Sequence, residues 1–417
     1  MNPVEWLESL PQPPEWTLDR TRRLFSLAGV STNALKVIHV AGTNGKGSTV
    51  ALIASGLQAA GFKTAAYYSP HVLDFRERIQ VNGEWISEEK LNALTEVIKP
   101  LVKQMLDDGN SPSFFEVVTA IAVKHFINEQ VDWAVVETGL GGRLDATNVL
   151  ESECAVITPI SLEHTEKLGK TIDAIATEKA GIVKLNKPVF TNNTDEKAVN
   201  AIKQTASKLN AQVTVTEPLT NVNCSDTVTS FTYAGRQHST SLLGPHQALN
   251  ASLAIEVLNW LGVSQEDIAA GLKTAFVPAR LEIVKRSPLV VVDGAHNPAG
   301  TRTLVEAIRT IWPHKKIALV FGVLADKDYA EMANELRRLQ VQTVNVTKPK
   351  NERALPLEKA KQLFEGFAVT AFEEPENALE DAVKKAAELN AIVLCCGSLY
   401  LAGELLAGTG LTQAKTL

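Results

Sequence analysis

The sequence of 417 residues has little of several features that would define a protein class on their own. Its four cysteines, Cys154, Cys224, Cys395 and Cys396, are scattered or adjacent rather than spaced as metal ligands. This pattern argues against structural zinc and is typical of a reducing compartment. No apolar run approaches the ~20 residues of a membrane span, and the first residues lack the basic start and apolar segment of a signal peptide. We therefore expect a cytoplasmic protein with no membrane partner.

An excess of positive charge is also absent. The formal net charge is −6, so the chain as a whole does not attract nucleic acid or anionic lipid, and any anionic substrate must meet local cations. The composition, with 45% apolar and 21% charged residues, is that of an ordinary globular protein. The length, divided by ~150, predicts about two or three domains. We expect a monomer without a nucleic-acid partner.

The most informative segment that is present is VIHVAGTNGKGST, residues 37–49, in which an apolar run leads into a glycine-rich turn and then into helical spacing. Glycines let bare backbone N–H groups approach phosphate oxygens at the positive end of a helix. Lys46 adds a positive charge, and Ser48 or Thr49 can reach a bound Mg²⁺. Because Gly47 separates Lys46 from Ser48, this is a variant of the usual phosphate-loop pattern. The alternative is a turn that only packs a helix on a sheet.

Along most of the chain, short apolar runs alternate with helical patterns, which is typical of a mostly parallel sheet covered by helices. Residues 211–243 are rich in Thr, Ser and Val instead, and predict a small antiparallel β patch. The strand, turn and helix pattern restarts at LVVVDGAHNPAG, so we place a domain boundary near residue 285, giving domains 1–285 and 286–417. The predicted strands of the first domain are Val37–Ala41, Thr64–Tyr68, Trp133–Glu137, Ala155–Pro159 and Pro188–Thr191, and a helix is predicted over 245–261.

Other segments place reactive side chains near strand ends, where ligands of open α/β sheets bind. Glu137 can hold a metal that neutralises ATP, or it can cap the next turn. His164 is a metal ligand or a packed side chain. Lys179 is a surface residue, or, if it is buried near a metal, a reactive amine with a lowered pKa. Ser69 and Arg78 come from SPHVLDFRERI, for which a charged surface loop is an equal alternative.

These segments, in this order, resemble the folylpolyglutamate synthase and dihydrofolate synthase family, relatives of the Mur peptide ligases. The matching blocks are GTNGKGS, SPH followed by ERI, GLGGRLDATN, LEHT, EKAGI, PARLE, DGAHNP and LADKD, and they cover nearly the whole chain. The resemblance implies an α/β protein with a phosphate-loop ATPase domain built on a mostly parallel sheet. It also implies a smaller Rossmann-like domain at the carboxyl terminus.

The resemblance further implies the site residues. Lys46, Glu137, His164 and Lys179 become catalytic, and Lys179 matches a lysine that the family carbamylates. One or two Mg²⁺ ions are expected among Ser48, Ser69, Glu137 and His164, and a monovalent cation is a further candidate. The implied nucleotide contacts are Thr43, Asn44, Gly45, Lys46, Gly47, Ser48, Asn250, Arg280, Asp293 and His296. The implied substrate contacts are Trp16, Thr17, Arg78, Ser113, Phe114, Phe115, Glu116, Leu144, Asp145 and Ala146, in which Phe115 offers a stacking ring and Asp145 an acceptor for pterin N–H groups.

The implied activity is an ATP-dependent ligation. ATP converts a carboxylate into an acyl phosphate, and the α-amine of L-glutamate attacks it to form an amide. Both dihydropteroate and the γ-linked tail of a reduced folate fit as acceptors. Two alternatives stay open at this point: a Mur-type ligase acting on a cell-wall nucleotide, and a phosphate-loop NTPase that hydrolyses ATP without ligation.

Overall fold

The computed structural model describes residues 2–11 and 15–409 of the chain. Contacts divide the chain into two compact units. The first consists of Met1–Thr220, Thr232–Thr240 and Leu249–Phe276, and the second of Asn221–Phe231, Ser241–Ala248 and Val277–Leu417. The boundary near residue 285 stays a prediction, and residues 410–417 of the predicted second domain lie outside the described part.

The first unit is built on one large sheet. Its strands are β1 (Val37–Ala41), β2 (Thr64–Tyr67), β3 (Ile79–Val81), β4 (Glu84–Trp85), β5 (Trp133–Glu137), β6 (Ser152–Ile157), β7 (Val189–Thr191) and β8 (Val213–Val215). The order across the sheet is β4-β3-β2-β5-β1-β6-β7-β8. In the order across the sheet, all neighbours from β2 to β8 are parallel, and the β2–β3 and β3–β4 pairs are antiparallel. The predicted mostly parallel sheet is confirmed, with β1 near its centre.

Helices follow the strands, as the alternating pattern predicts. They are α1 (Pro3–Glu8), α2 (Asp19–Leu27), α3 (Lys46–Ala59), α4 (Glu88–Asp107), α5 (Phe114–Asn128), α6 (Thr165–Leu168), α7 (Ile172–Ala180), α8 (Glu196–Lys208), α9 (Pro245–Trp260) and α10 (Gln265–Thr274). Short 3-10 helices span Phe75–Arg78 and Ala146–Val149. All five residues of β1 are buried, because a central parallel strand is covered on both faces. Among the described residues, no helix has the length and hydropathy of a membrane span.

A small three-stranded sheet lies in the segment predicted as a β patch. It contains β9 (Thr220–Cys224), β10 (Thr229–Tyr233) and β11 (Arg236–Thr240), in the order β11-β10-β9. Ala234 and Gly235 join the last two strands with φ of 48° and 73°, the positive values that tight hairpin turns require. The prediction was wrong at one end of the segment. Strand β8 extends the large sheet parallel to β7, because α8 provides the crossover that parallel pairing needs.

The second unit contains a six-stranded sheet. Its strands are β12 (Glu282–Arg286), β13 (Leu289–Val292), β14 (Lys316–Phe321), β15 (Val341–Thr347), β16 (Ala368–Phe372) and β17 (Ala391–Cys396), and its helices are α11 (Pro298–Ile311), α12 (Tyr329–Leu336), α13 (Leu357–Gln362), α14 (Pro375–Leu389) and α15 (Leu399–Thr409). The order is β12-β13-β17-β14-β15-β16, and only β12 is antiparallel to its neighbour. The predicted second α/β sheet is confirmed.

Candidate active site

The glycine-rich loop leaves the buried end of β1 and is held by the segment that follows β6. Thr43 donates its N–H to the carbonyl of Pro159 at 3.0 Å, and its hydroxyl accepts the N–H of Ser161 at 3.1 Å. Gly45 is the N-cap of α3 and has φ of 87°, a conformation that favours glycine. A Cβ at Gly45 would lie 2.5 Å from Oδ1 of Asn250. The loop and the predicted nucleotide residue Asn250 of α9 are therefore in close contact.

Three neighbouring strands bring polar groups to this loop. Lys46, the first residue of α3, donates to the carbonyl of Thr43 at 3.1 Å, and its Nζ lies 3.8 Å from Oε1 of Glu137 at the end of β5. The N–H of Ser69, two residues after β2, lies 3.3 Å from Oε2 of Glu137. Glu137 is only 5% exposed. The structure thus brings together Ser69, Lys46 and Glu137, as the carboxyl ends of adjacent parallel strands predict, and Ser48 follows two residues after Lys46 in α3.

This donor set suits a hard cation that keeps other ligands of its own. Mg²⁺ usually takes one or two protein oxygens and completes its shell with waters and substrate phosphates. In the described part of the chain, no group of three or more His, Cys, Asp or Glu side chains forms a metal site. This usual coordination fits the candidate site, which offers the carboxylate of Glu137 and the hydroxyls of Ser48 and Ser69 beside a phosphate loop.

His164 lies in the loop after β6 as the N-cap of α6, with φ of 51°. Its role as a metal ligand stays a prediction. Its neighbour Glu163, which the sequence reasoning did not select, is close enough to Lys179 to favour the charged form of that lysine. Because this proximity depends on how the loop folds, no local motif signals it.

Lys179, in the last turn of α7, is buried and points to the phosphate loop. Its Nζ donates to the carbonyl of Gly42 at 2.6 Å, and the residue is 5% exposed. Burial lowers the pKa of Lys179 to about 7, and the nearby Lys46 ammonium acts in the same direction. A substantial neutral fraction of this amine is therefore present near neutral pH.

The segment GLGGRLDATN is locked to the end of α7. Arg143 donates its N–H to the carbonyl of Glu178 at 2.8 Å, and its guanidinium pairs with the Glu178 carboxylate at 3.0 Å. A Cβ at Gly142 would lie 2.7 Å from the carbonyl oxygens of Glu178 and Lys179. Only glycine allows this approach, which fixes Asp145 relative to Lys179.

A cavity of about 370 Å³ opens in the first unit next to these groups. All of the predicted substrate contacts line it, together with Ser69. Their role in binding a substrate stays a prediction. The remaining lining residues were missed by the sequence reasoning: Arg20, Pro70, Gly139, Leu140 and Lys167.

Aromatic rings and buried charges form the walls of this cavity. The ring of Phe115 packs on Gly139, where a Cβ would lie 2.5 Å from a ring carbon. The Arg78 guanidinium lies 5.4 Å from the centroid of Phe114. Arg20 and Glu116 form a buried ion pair at 3.2 Å. Because α2 supplies Arg20 and α5 supplies Glu116, sequence spacing could not predict this pairing.

Asp145 is a cavity residue with strong local partners. Its Oδ2 accepts the N–H of Leu140 at 2.8 Å, and its Oδ1 accepts the N–H of Thr147 at 3.0 Å and also the Thr147 hydroxyl. Burial raises the pKa of Asp145, and these donors oppose the rise. The carboxylate therefore caps the 3-10 helix Ala146–Val149 while it faces the cavity.

The predicted nucleotide residues of the second unit gather at the end of β13. Asp293 accepts the N–H of Leu281 at 2.9 Å through Oδ2 and that of Ala295 at 2.8 Å through Oδ1. Burial raises the pKa of Asp293, and Arg280 acts against the rise. His296 Nδ1 lies 2.8 Å from the carbonyl of Gly294. Contact of these groups with a nucleotide stays a prediction.

Known proteins share both the sequence and the fold of this chain. Residues 40–258 match the Mur ligase middle domain, and residues 279–399 match the Mur ligase glutamate ligase domain. The chain is 36% identical over 415 residues to the dihydrofolate synthase/folylpolyglutamate synthase of Bacillus subtilis, covering 93% of this chain and 94% of that protein. This chain belongs to the folylpolyglutamate synthase/dihydrofolate synthase family. As a member of this family it is an ATP-dependent ligase, and the alternative of an NTPase without ligase activity is no longer supported.

Solved structures of the family agree with this assignment. The Mycobacterium tuberculosis folylpolyglutamate synthase complexed with ADP superposes with a TM-score of 0.89 at 30% identity, covering 98% of this chain and 97% of that one. The Escherichia coli protein FolC in complex with DHPP and ADP superposes with a TM-score of 0.86 at 28% identity, covering 98% of both chains. The likeness extends over both predicted α/β parts.

Proposed function

We propose that this ligase joins L-glutamate to the carboxylate of a pterin-bearing substrate, acting on dihydropteroate and on the γ-carboxylate of a reduced folate. The observation that carries the proposal is the position of Ser69. It lines the cavity of about 370 Å³, and its N–H lies 3.3 Å from Glu137 beside the phosphate loop. A substrate whose ring fills the cavity can thus present its carboxylate to ATP. The Bacillus subtilis relative is named for both activities, and the Escherichia coli relative was solved in complex with DHPP and ADP. Both facts support the same substrates.

The chemistry follows from the groups at the loop. A carboxylate is a poor electrophile, so its oxygen first attacks the γ-phosphorus of ATP, the bond to ADP breaks, and an acyl phosphate forms. The glutamate amine then attacks the acyl carbon and phosphate leaves, which completes the amide. Lys46 and the backbone N–H groups of the loop stabilise the charge that develops on the transferring group. Mg²⁺, when bound, would neutralise phosphate charge, and Ser48, Ser69, Glu137 and His164 would hold it.

Two residues that line the cavity support a pterin as the substrate. Phe115 offers an aromatic ring for stacking, and Asp145 offers carboxylate oxygens to the ring N–H and amino groups. One close contact sets the positions of both side chains, because Gly139 allows Phe115 to pack on the segment that carries Asp145. This arrangement does not favour a cell-wall nucleotide as the substrate.

We further propose that Lys179 works as a carbamate. Its neutral amine would add to CO₂ and release one proton, which converts a cation into an anion near the phosphate loop. The lowered pKa, about 7, supports this step, because the neutral fraction rises as the pH passes upward through that value. CO₂ should therefore activate the enzyme more above this pH than below it.

Replacement of Lys179 tests the carbamate directly. We expect Lys179→Ala to lose activity and to regain part of it with added acetate or formate, which can occupy the vacated anion position. Activity would be measured as ADP release with and without each additive. Rescue by a small amine instead would show that the free lysine is the working form.

The experiment that tests the main proposal is an ADP-release assay with Mg²⁺ and ATP. It compares dihydropteroate with tetrahydrofolate, each with and without glutamate. We expect ADP to form in proportion to a new amide, and only when both the pterin acid and glutamate are present. ATP hydrolysis at the same rate without glutamate would contradict the proposal, and a failure with dihydropteroate alone would leave only the extension of folates.

A further inference from the structure

We infer that His39 and Thr147 position the Asp145 carboxylate for the pterin ring, through a buried hydrogen-bond chain that runs from strand β1 to the cavity. The inference rests on the proposed function, because it concerns how the pterin substrate is held. Neither His39 nor Thr147 lines the cavity. Both are therefore positioning residues that act through Asp145.

The geometry of the chain is continuous. His39 lies in the middle of β1 and is 0% exposed, and its Nε2 is 2.7 Å from Oγ1 of Thr147, which is also 0% exposed. The Thr147 hydroxyl in turn donates to Oδ1 of Asp145, which also accepts the Thr147 N–H at 3.0 Å. Asp145 is the one member of the three that reaches the cavity.

The positions of the protons follow from the donors and acceptors. A carboxylate only accepts hydrogen bonds, and the single hydroxyl proton of Thr147 is used for Asp145. His39 must therefore donate through Nε2–H, which makes Nδ1 a bare acceptor. Within the described residues, the buried Nδ1 atom has no hydrogen-bond partner, which fits this tautomer. Burial lowers the pKa of His39 to about 3, so the ring is neutral at physiological pH.

The result is a carboxylate with a fixed direction. Two donors of Thr147 hold Oδ1, and the N–H of Leu140 holds Oδ2 at 2.8 Å. Rotation of the carboxylate would break these bonds, so its remaining acceptor capacity keeps one orientation towards the cavity. A carboxylate held by several buried donors is stiffer than an isolated side chain. The pterin N–H groups would then meet an acceptor that is already oriented.

Two substitutions at position 39 separate the hydrogen bond from packing. His39→Leu removes the donor, whereas His39→Gln keeps an amide N–H near the place of Nε2. We expect the Kd for dihydropteroate, measured by titration calorimetry, to rise about tenfold in His39→Leu, equal to about 1.4 kcal/mol. His39→Gln should recover most of this loss, and the KM for ATP should change less than the Kd. His125→Leu serves as the control, because His125 is a buried histidine of α5 that does not line the cavity.

A double-mutant cycle gives the decisive result. If His39 acts through Asp145, His39→Leu should have no further effect on binding in an Asp145→Ala background. Equal losses in both backgrounds, or wild-type binding by His39→Leu, would overturn the inference while the proposed function stands. If the unmutated protein binds neither dihydropteroate nor tetrahydrofolate, the proposed function itself is wrong. Should His39→Leu not fold, the pair Thr147→Val and Thr147→Ser makes the same comparison, with loss expected for valine only.

Discussion

Two strand-to-helix turns in this molecule have a similar sequence pattern, but the helices that follow them are capped differently. In the first unit β1 runs through a glycine-rich loop into α3, and in the second β13 runs through DGAHNPAG into α11. Helix α3 begins after Gly45, which has no side chain with which to cap it. Helix α11 begins after Asn297, whose Oδ1 accepts the N–H of Gly300 at 2.7 Å.

The difference concerns the N–H groups at the helix start, which can bind an anion when no side chain caps the helix. The first N–H groups of a helix have no partner within the helix, so they bind either an N-cap side chain or an external group. Helix α3 has no capping side chain, so we expect its start, next to the charge of Lys46, to meet phosphate. Helix α11 uses its own Asn297 and begins with Pro298, which has no N–H. We therefore expect nucleotide contacts of the second turn to come mainly from side chains such as Asp293 and His296.

The largest effect on kcat is expected for the Glu137 carboxylate, which lies beside Lys46 at the first turn. Glu137→Gln keeps the shape of the side chain but removes a charge 3.8 Å from Lys46. We expect kcat to fall by about 10² or more, the scale of losing an electrostatic contact in the transition state. The measurement is ADP release over a Mg²⁺ titration.

Glu77→Gln is the matched control, because Glu77 is also 5% exposed but accepts backbone N–H groups of Val72, Leu73 and Asp74. It should lower the melting temperature and leave the Mg²⁺ dependence unchanged. Similar kcat losses in both variants would mean that Glu137 is structural.

A second pair of variants compares two glycines with the same backbone. Gly45 has φ of 87° and Gly61 has φ of 85°, but a new Cβ meets Asn250 at 2.5 Å only at position 45. Both alanine variants should lose about 1–2 kcal/mol of stability from the left-handed conformation. Only Gly45→Ala should raise the KM for ATP, by about tenfold, equal to ~1.4 kcal/mol. An unchanged KM would show that the shape of the loop does not control nucleotide binding.

The smallest effect on activity is expected at the second turn. Asn297→Ala removes the cap of α11 and should cost about 1 kcal/mol of unfolding free energy. Because Asn297 binds the N–H of Gly300 and Pro298 has no N–H, we expect this turn to contribute little to ATP binding, and the KM for ATP should stay within about twofold. Urea unfolding and steady-state kinetics measure the two quantities. A tenfold rise in this KM would break the distinction between the turns.

The strands of the large sheet could be predicted because burial on both faces gives continuous apolar runs. The five predicted strands appear as β1, β2, β5, β6 and β7, with ends that differ by a few residues. The short strand β8 was assigned to the wrong sheet. Three residues, Val213–Val215, carry no pattern that distinguishes the edge of a parallel sheet from a hairpin.

Parts of the candidate site that lie in one continuous motif could be predicted from the sequence. Contacts between segments that are far apart in the chain could not. The phosphate loop and the cavity residues around Asp145 lie in continuous blocks. Arg20 forms an ion pair with Glu116, and His39 forms a hydrogen bond with Thr147. Each pair joins segments that are far apart in the chain. In the sequence, His39 is one polar residue in the apolar strand VIHVA, and only the fold reveals its partner.

The central place of β1 has a consequence for synthesis of the protein. Its two neighbours are β5, which begins at Trp133, and β6, which ends at Ile157, whereas β1 itself ends at Ala41. The ribosome therefore releases the glycine-rich loop long before the strands that flank it. A ligand stabilises a fold by binding the folded form in preference to the unfolded chain. ATP can thus favour the completed sheet but cannot assist the nascent amino-terminal segment, whose folding must wait for these distant strands.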